Sequence, residues 1–474
     1  MQEGTYLQHI GILGAGSAGI ITALTLRTFL PDVAISIMIP KNSKNIGVGE
    51  STQPDLVDLI EDAGIDLFEF IEQVDCTLKH GIYYKNWNLI GENYWHPFTS
   101  LSGQSQYTRA HHYHKMHGLY PEKYPLTDYY RCVHPSFELC VKNNLSSTAM
   151  PYALHIDADK MASYVLDFLG KSIDVVYYND YFIHSNDKIE SIELDKNKKL
   201  EADLYIDCTG FSRSLSNAID NTTTDGYEGN VNAAIAAQIP YEKISNKETI
   251  PYTKADAWTN GWIWTIPLSS RLGSGCVYNT NFCSYEEAKY KLLDYWNNQI
   301  TESDLQKISF SSESLLSPWK NNVVNIGLSA GFIEPLEATG ISWFVISSRL
   351  LATMLKNRYF DQSISERYNS QIRSYIEDVQ DFIDTHYMLS NRQDSEFWIY
   401  QSSRKRHPRL LARLDQYRNF MPNKTNRPDN SIWAFNDVSW IDILTGYDFK
   451  FKNVDIPTGI MKQKQCELFF DNRN

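Results

Sequence analysis

The chain has 474 residues, 42% hydrophobic and 21% charged, which is the balance of a folded globular protein long enough to bury a large core. A formal charge of −13 and a pI near 5.4 argue against a nucleic-acid partner, whose phosphates an acidic chain without a basic patch would repel. Seven cysteines, none in a CxxC pair, and an N-terminus without a basic, apolar leader lead to the expectation of a cytoplasmic protein with reduced thiols; no segment is apolar for long enough to span a bilayer.

In chain order, residues 9 to 40 read as strand, tight glycine turn, helix and strand. Gly14, Gly16 and Gly19 form GAGSAG, a GxGxxG between a β-type run and a helical run, with Ser17 and Ala18 inside it. In that context the glycines permit the turn, the close approach of a pyrophosphate and tight helix packing, so a dinucleotide at the helix N-terminus is expected. The acid that usually ends the second strand and holds the ribose is replaced by Ile39, Pro40 and Lys41. A helical pair covers PDLVDLIEDAGI and DLFEFIEQ, and CTLKHGIYYKNWN alternates as one strand. Next come the helix DADKMASYVLDFLG, the strand DVVYY, and the buried strand ADLYIDCTGF, which ends in a small turn at residues 207 to 210. Strand signals recur at NAAIAAQI, GWIWTIPL, GSGCVYN and NVVNIGL, and from about residue 360 the pattern is mainly helical. The fold class expected is α/β: a doubly wound FAD-binding module of the flavin monooxygenase type, split around an inserted β-sheet over residues 1–358, with a helical region over 359–474.

Three local features carry chemistry. In GFIEPLEATGISWF, residues 331 to 344, Pro335 can open a helix with Glu337 in its first turn, and Gly340 lets a ligand approach the main chain. Free N–H groups there favour a small anion, and a carboxylate in a dry site can accept a proton; the plainer alternative is an ordinary acidic helix start. Glu334 is a second acid three residues earlier, on a neighbouring helical face. Trp262 and Trp264, spaced by two in a strand, share one face, as a cavity wall or as core. The four histidines of HHYHKMH at 111 to 117 lack a completing carboxylate pair, and no metal is expected.

With GAGSAG, IGVGES, LKHGIYYKNW, GWIWTIP, GFIEPLEATGI and HYMLSNRQDSEFW in this order, the chain resembles the flavin-dependent halogenases of the tryptophan halogenase family, over most of its length. The resemblance implies an enzyme in which FADH2, O2 and a halide (chloride, bromide or iodide) give hypohalous acid. That acid is relayed through an internal passage to a lysine beside an aromatic substrate. Lys79 matches that lysine and Glu337 the essential acid; Thr339 and Gly340 match the halide-binding positions. Gly47, Val48, Gly49, Glu50 and Ser51 match the flavin-proximal loop, although Ser51 and Gln53 depart from the family's commonest pattern. Asp207, Gly327 and Ile341 are further flavin contacts by the same resemblance. Trp262, Trp264 and Pro335 line the passage, and His96 and Phe98 sandwich the substrate ring. The resemblance implies a separate flavin reductase, since one GxGxxG is present and no second fingerprint for NADH. The C-terminal clamp of tryptophan-specific members has no convincing match, so the substrate expected is a free-standing indole or phenol. The alternatives are a flavin-dependent aromatic monooxygenase and a non-catalytic FAD-binding protein.

Overall fold

A computed structural model describes residues 4–454 except 42–48, 100–103, 144–145, 149, 196–197, 245–248, 424 and 427–431. The run HIGIL forms the central strand His9–Leu13 of a six-stranded sheet, flanked by Leu204–Asp207 and Ala34–Pro40, both parallel to it. Asp174–Tyr178 and Val323–Asn325 extend the sheet in parallel, and Trp319–Lys320 closes one edge antiparallel. Ile10, Ile12, Ile35 and Ile37 are all buried, as a parallel sheet covered on both faces requires. The helix Ser17–Phe29 leaves the first strand through the glycine turn and packs on the helix Thr339–Met354.

The inserted sheet has seven strands, in the order Leu305–Ser309, Ala233–Pro240, Arg271–Tyr278, Gly261–Pro267, Thr253–Trp258, Gly81–Lys85 and Asn93–Pro97. All neighbours are antiparallel except Thr253–Trp258 with Gly81–Lys85. GWIWTIP is buried at every position. Across the register Trp264 faces Gly275, where a Cβ would come within 2.1 Å of the indole; the missing side chain is the seat of that ring.

The stretch expected as one strand at 76–88 is two. Thr77–Lys79 pairs with Ala153–Ile156 in a three-stranded sheet, and Gly81–Lys85 joins the seven-stranded one. The chain changes sheet at His80, whose N–H donates to Pro251 O and whose carbonyl accepts from Phe98 N. Residues 78–82 are buried without interruption, so burial does not mark the break. Gly81 permits the crossing, since a Cβ there would lie 2.6 Å from His96 O.

Among the described residues, four helices follow Thr339–Met354: Gln362–Met388, Glu396–Ser403, Pro408–Asn419 and Asp437–Gly446. The last lies against Asn93–Pro97. Phe382, Trp398 and Trp440 of these helices belong to the same buried cluster as Ile10 and Leu24, so both regions share one core. The six described cysteines are free thiols; Cys466 lies outside the described residues.

Candidate active site

A cavity of about 710 Å³ opens where the glycine turn, the inserted sheet and the start of the helix Thr339–Met354 meet. Its floor is Gly14, Gly16, Ser17 and Ala18. Gly14 sits at φ +103°, and a Cβ there would press within 2.4 Å of Cys208 O. Gly19 serves the turn from behind, since a Cβ on it would reach 2.0 Å from Gly14 O. The helix N-terminus therefore meets the cavity with backbone and no side chain in the way, which is the cradle a pyrophosphate takes. At the strand end where a ribose-binding acid was absent, Pro40 stands opposite Tyr178, and both line the cavity with Tyr181. The volume and the cradle fit a dinucleotide cofactor such as FAD.

Gly49, Glu50 and Ser51 line another side; Gly47 and Val48 fall outside the described residues. Burial raises the Glu50 carboxyl, with Arg271 opposing and Asp157 assisting. Ser51 Oγ lies 2.7 Å from Thr253 Oγ1, which contacts His155 Nε2 at 3.0 Å. Trp262, Trp264, Pro335, Glu337, Gly340 and Ile341 close the far wall, and Thr339 is buried beside Gly340. The first-turn N–H groups of that helix have no intrahelical partner, which suits an anion.

Two expected cofactor contacts are placed behind the wall. Asp207 is fully buried, and both its oxygens are engaged: Oδ1 accepts from the amide and hydroxyl of Thr209, and Oδ2 accepts from the amides of Leu215 and Ser216. It shapes the turn that brings Cys208, Thr209 and Gly210 to the cavity and does not itself line it. Gly327, at φ +89°, allows close packing on Ala18, whose Cβ would be 2.5 Å from one on the glycine; Leu328 lines the cavity in its place.

Glu337 is not in a helical first turn. It has φ 67° and Ala338 φ 56°, two successive left-handed residues, and the helix begins at Thr339. Non-glycine residues adopt this conformation at a cost of roughly 1–3 kcal/mol each, so the surroundings must hold it. Part of that hold is Gln53, whose Nε2 donates to Glu337 O at 2.6 Å. The left-handed turn sends the carboxylate away from the helix into a buried nest. Tyr84 OH donates to Oε1 at 2.5 Å, His96 Nδ1 lies 2.7 Å from Oε2, and His386 Nε2 lies 3.1 Å from Oε1. Burial opposes ionisation, but the His96 imidazole, by its charge and by its hydrogen bond, more than offsets it and holds the carboxyl well below its usual range. Glu334 does not lie on a neighbouring helical face; it is in the extended segment before the turn, accepting from Tyr387 OH at 2.7 Å and from Asn230 Nδ2 at 3.3 Å.

Lys79 is fully buried at the end of its strand. Its Nζ donates to Thr52 O at 2.8 Å and lies 4.9 Å from the centre of the Phe98 ring. Burial lowers the ammonium to about 7, against the charges of Glu337 and Asp55. Lys79, His96 and Phe98 do not line the first cavity; Glu337 does, and through His96 Nδ1 it is tied to the side where Phe98 meets Lys79. His96 contacts Phe382 and Phe435, with ring centres 5.5 and 6.0 Å away. The histidines of HHYHKMH diverge: His111 meets Val454 O and Pro422 O, His114 meets Thr445 Oγ1, and His117 meets Tyr124 O.

The description "Tryptophan halogenase" belongs to the family model that matches residues 9–460. The chain belongs to the tryptophan halogenase family. It is 30% identical to Tryptophan 7-halogenase KtzQ of Kutzneria sp. (strain 744) over 424 residues, covering 83% of this chain and 78% of that one. With Tryptophan 7-halogenase RebH of Lentzea aerocolonigenes the identity is 29% over 440 residues, 87% and 82% of the two chains. In fold it is similar to BrvH, a flavin-dependent halogenase from Brevundimonas sp. BAL3, with TM-score 0.82 at 23% identity over 98% and 96% of the chains. The enzymatic class of this chain is that of the flavin-dependent halogenases, on their FAD-binding α/β fold. Tyr84, Tyr94, His386 and Tyr447 escaped the sequence reading because they come together from distant segments, Tyr84 and His386 on Glu337 and the other two on His386, and form no local motif.

Proposed function

We propose that this chain uses FADH2, delivered by a separate reductase, with O2 and a halide to halogenate a small aromatic of the indole or phenol type. When bound, the reduced flavin supplies the two electrons that with O2 convert halide to hypohalous acid. Gly14, Gly16, Ser17 and Ala18 hold the pyrophosphate, with Gly47 to Ser51 and Ile341 at the flavin. Thr339 and Gly340 offer main-chain N–H groups to the halide. Trp262, Trp264 and Pro335 keep the substrate out of the flavin compartment.

The observation that carries this reading is Lys79 together with Glu337: a buried amine that feels the charge of a buried ionised carboxylate, with the carboxylate also lining the dinucleotide cavity. With its acidity near 7, Lys79 is available as ammonium, to hold hypohalous acid by hydrogen bonding, and as amine, to capture the halogen. Glu337, kept ionised, accepts the proton lost from the ring after electrophilic attack. His96 and Phe98 bracket the ring.

The test supplies the protein with FAD, a flavin reductase, NADH and each halide, and screens indoles, phenols and L-tryptophan by mass spectrometry. Halogenated indole or phenol is expected; hydroxylated products without halogen would assign a monooxygenase instead. In the same assay Lys79→Ala should abolish halogenation while oxidation of FADH2 continues. Normal halogenation by that variant removes the lysine from the mechanism.

A further inference from the structure

His386 sits behind Glu337 on the long helix Gln362–Met388, fully buried, and its two ring nitrogens face different partners. Nδ1 lies 2.7 Å from Tyr94 Oη, and Nε2 lies 3.1 Å from Glu337 Oε1, off the line of a good hydrogen bond. The direction of each bond follows from counting hydrogens. Tyr447 OH donates its one proton to the carbonyl of His386 at 2.5 Å. Tyr94 and Tyr447 hydroxyls are 2.9 Å apart, and since Tyr447 has no second proton, Tyr94 is the donor between them. Tyr94 then has nothing to donate to Nδ1, so Nδ1 carries the imidazole proton and donates to Tyr94. Nε2 is left as a bare lone pair aimed at Glu337.

We propose that His386 is the proton acceptor behind Glu337, with Tyr94 and Tyr447 as positioning residues that keep Nε2 unprotonated. The inference rests on the reading of Glu337 as the base of the halogenation. With Glu337 ionised, Nε2 and Oε1 are two acceptors in contact, and a proton arriving between them turns the contact into a hydrogen bond. The step balances as follows. Hypohalous acid delivers the halogen to the ring and releases hydroxide; the ring C–H bond breaks, and its electron pair restores aromaticity. The proton goes to Oε1, the O–H bond breaks as the Nε2–H bond forms, and Glu337 is a carboxylate again. The proton on His386 matches the released hydroxide, and together they make water.

Imidazole is ordinarily a stronger base than a carboxylate, and His96 on the other oxygen weakens Glu337 as a proton holder further. Burial keeps His386 neutral at rest, with Glu337 pulling the other way and His96 adding to the burial. The groups facing it are Tyr84, Trp87, Tyr94, His96, Glu337, Phe382 and Tyr447, so Glu337 is the only acid among the described residues in contact with the ring.

The first test is nitrogen NMR of histidine-labelled protein with FAD bound, His386 being assigned by its loss in His386→Gln. Nδ1 should be protonated and Nε2 bare in the wild type, and in Tyr94→Phe the proton should move to Nε2. A wild-type ring protonated at Nε2 overturns the proposal. The second test is bromination of indole deuterated on its pyrrole-ring carbons. Tyr94→Phe and His386→Gln should slow turnover on the order of 10-fold and reveal a primary isotope effect absent from the wild type, because proton removal becomes rate-limiting. Slowing without an isotope effect leaves His386 a structural role and overturns the relay. A Glu337→Gln variant that brominates at the wild-type rate instead removes the base on which the relay depends, whatever the tautomer measured.

Discussion

Glu334 and Glu337 stand three residues apart, both buried, and their surroundings drive them in opposite directions. Glu334 is pushed up to about 8 by burial, because the hydrogen bonds from Tyr387 and Asn230 only partly compensate and the Asp384 charge adds to the rise. Glu337 is held low because the His96 imidazole, by its charge and its hydrogen bond to Oε2, outweighs the same burial. Equal burial therefore yields a neutral acid and a fixed anion, and the neighbours decide which. Only the anion can act as a base at neutral pH. The neutral acid holds the wall: Trp262 Nε1 donates to Tyr387 OH at 3.1 Å, and Tyr387 donates on to Glu334.

The strongest way to break this contrast is to neutralise the anion. Glu337→Gln should lower halogenation by roughly 10²–10⁴-fold, the usual worth of a general base, while FAD titration gives an unchanged affinity. A loss of FAD binding in step with activity would mean that the side chain serves the cavity and not the proton.

The two residues also predict opposite slopes of stability with pH. Glu334 has a raised value in the folded state, so its contribution is full below about 4.5 and fades as pH rises to about 8. Glu337 is depressed, so its contribution is present above about 4.5 and is lost as the pH falls below that. Thermal melts of Glu334→Gln should lack the decline between 4.5 and 8 that the wild type shows, whereas Glu337→Gln should lack the decline on the acid side. Coincident curves for the two variants would refute the contrast.

The smallest effect expected is that of Tyr387→Phe, which removes the donor to Glu334 and the acceptor of Trp262 together. Denaturant unfolding should show a loss of about 1–3 kcal/mol, with Glu337-dependent turnover retained within a few-fold.

The glycine turn, its strand and its helix were legible in the sequence because GxGxxG needs backbone conformations that few other residues supply; in the structure Gly14 makes the turn, Gly19 its close packing, and Gly16 lines the cavity. Three of the inserted strands were legible in the runs NAAIAAQI, GWIWTIPL and GSGCVYN, whereas their order in the sheet, set by pairings between distant segments, was not. Glu337 stood out locally as an acid beside an anion-binding main chain, whereas Lys79, an ordinary strand residue on its own, was visible only through family resemblance. The helix start was misread at Glu337 because nothing in PLEATG marks two left-handed residues; Pro335 and an acid are also what an ordinary helix start contains. Asp207 looked like a ligand at a strand end, but its carboxylate is consumed by four local donors. Gln53, noticed only as a departure from pattern, proves to brace the Glu337 backbone.

Gly275 touches no part of the cavity, yet the Trp264 indole lies in the space its side chain would fill. A single methyl added there cannot be absorbed locally, because the strand register sets the two residues face to face. It would press on the indole of one neighbouring strand and, at 2.6 Å, on the Ile235 carbonyl of the other, and of the two the side chain is the more movable. The wall of the cavity is therefore adjustable from a hidden position one strand away: a change of one carbon at 275 bears on a whole indole that lines it.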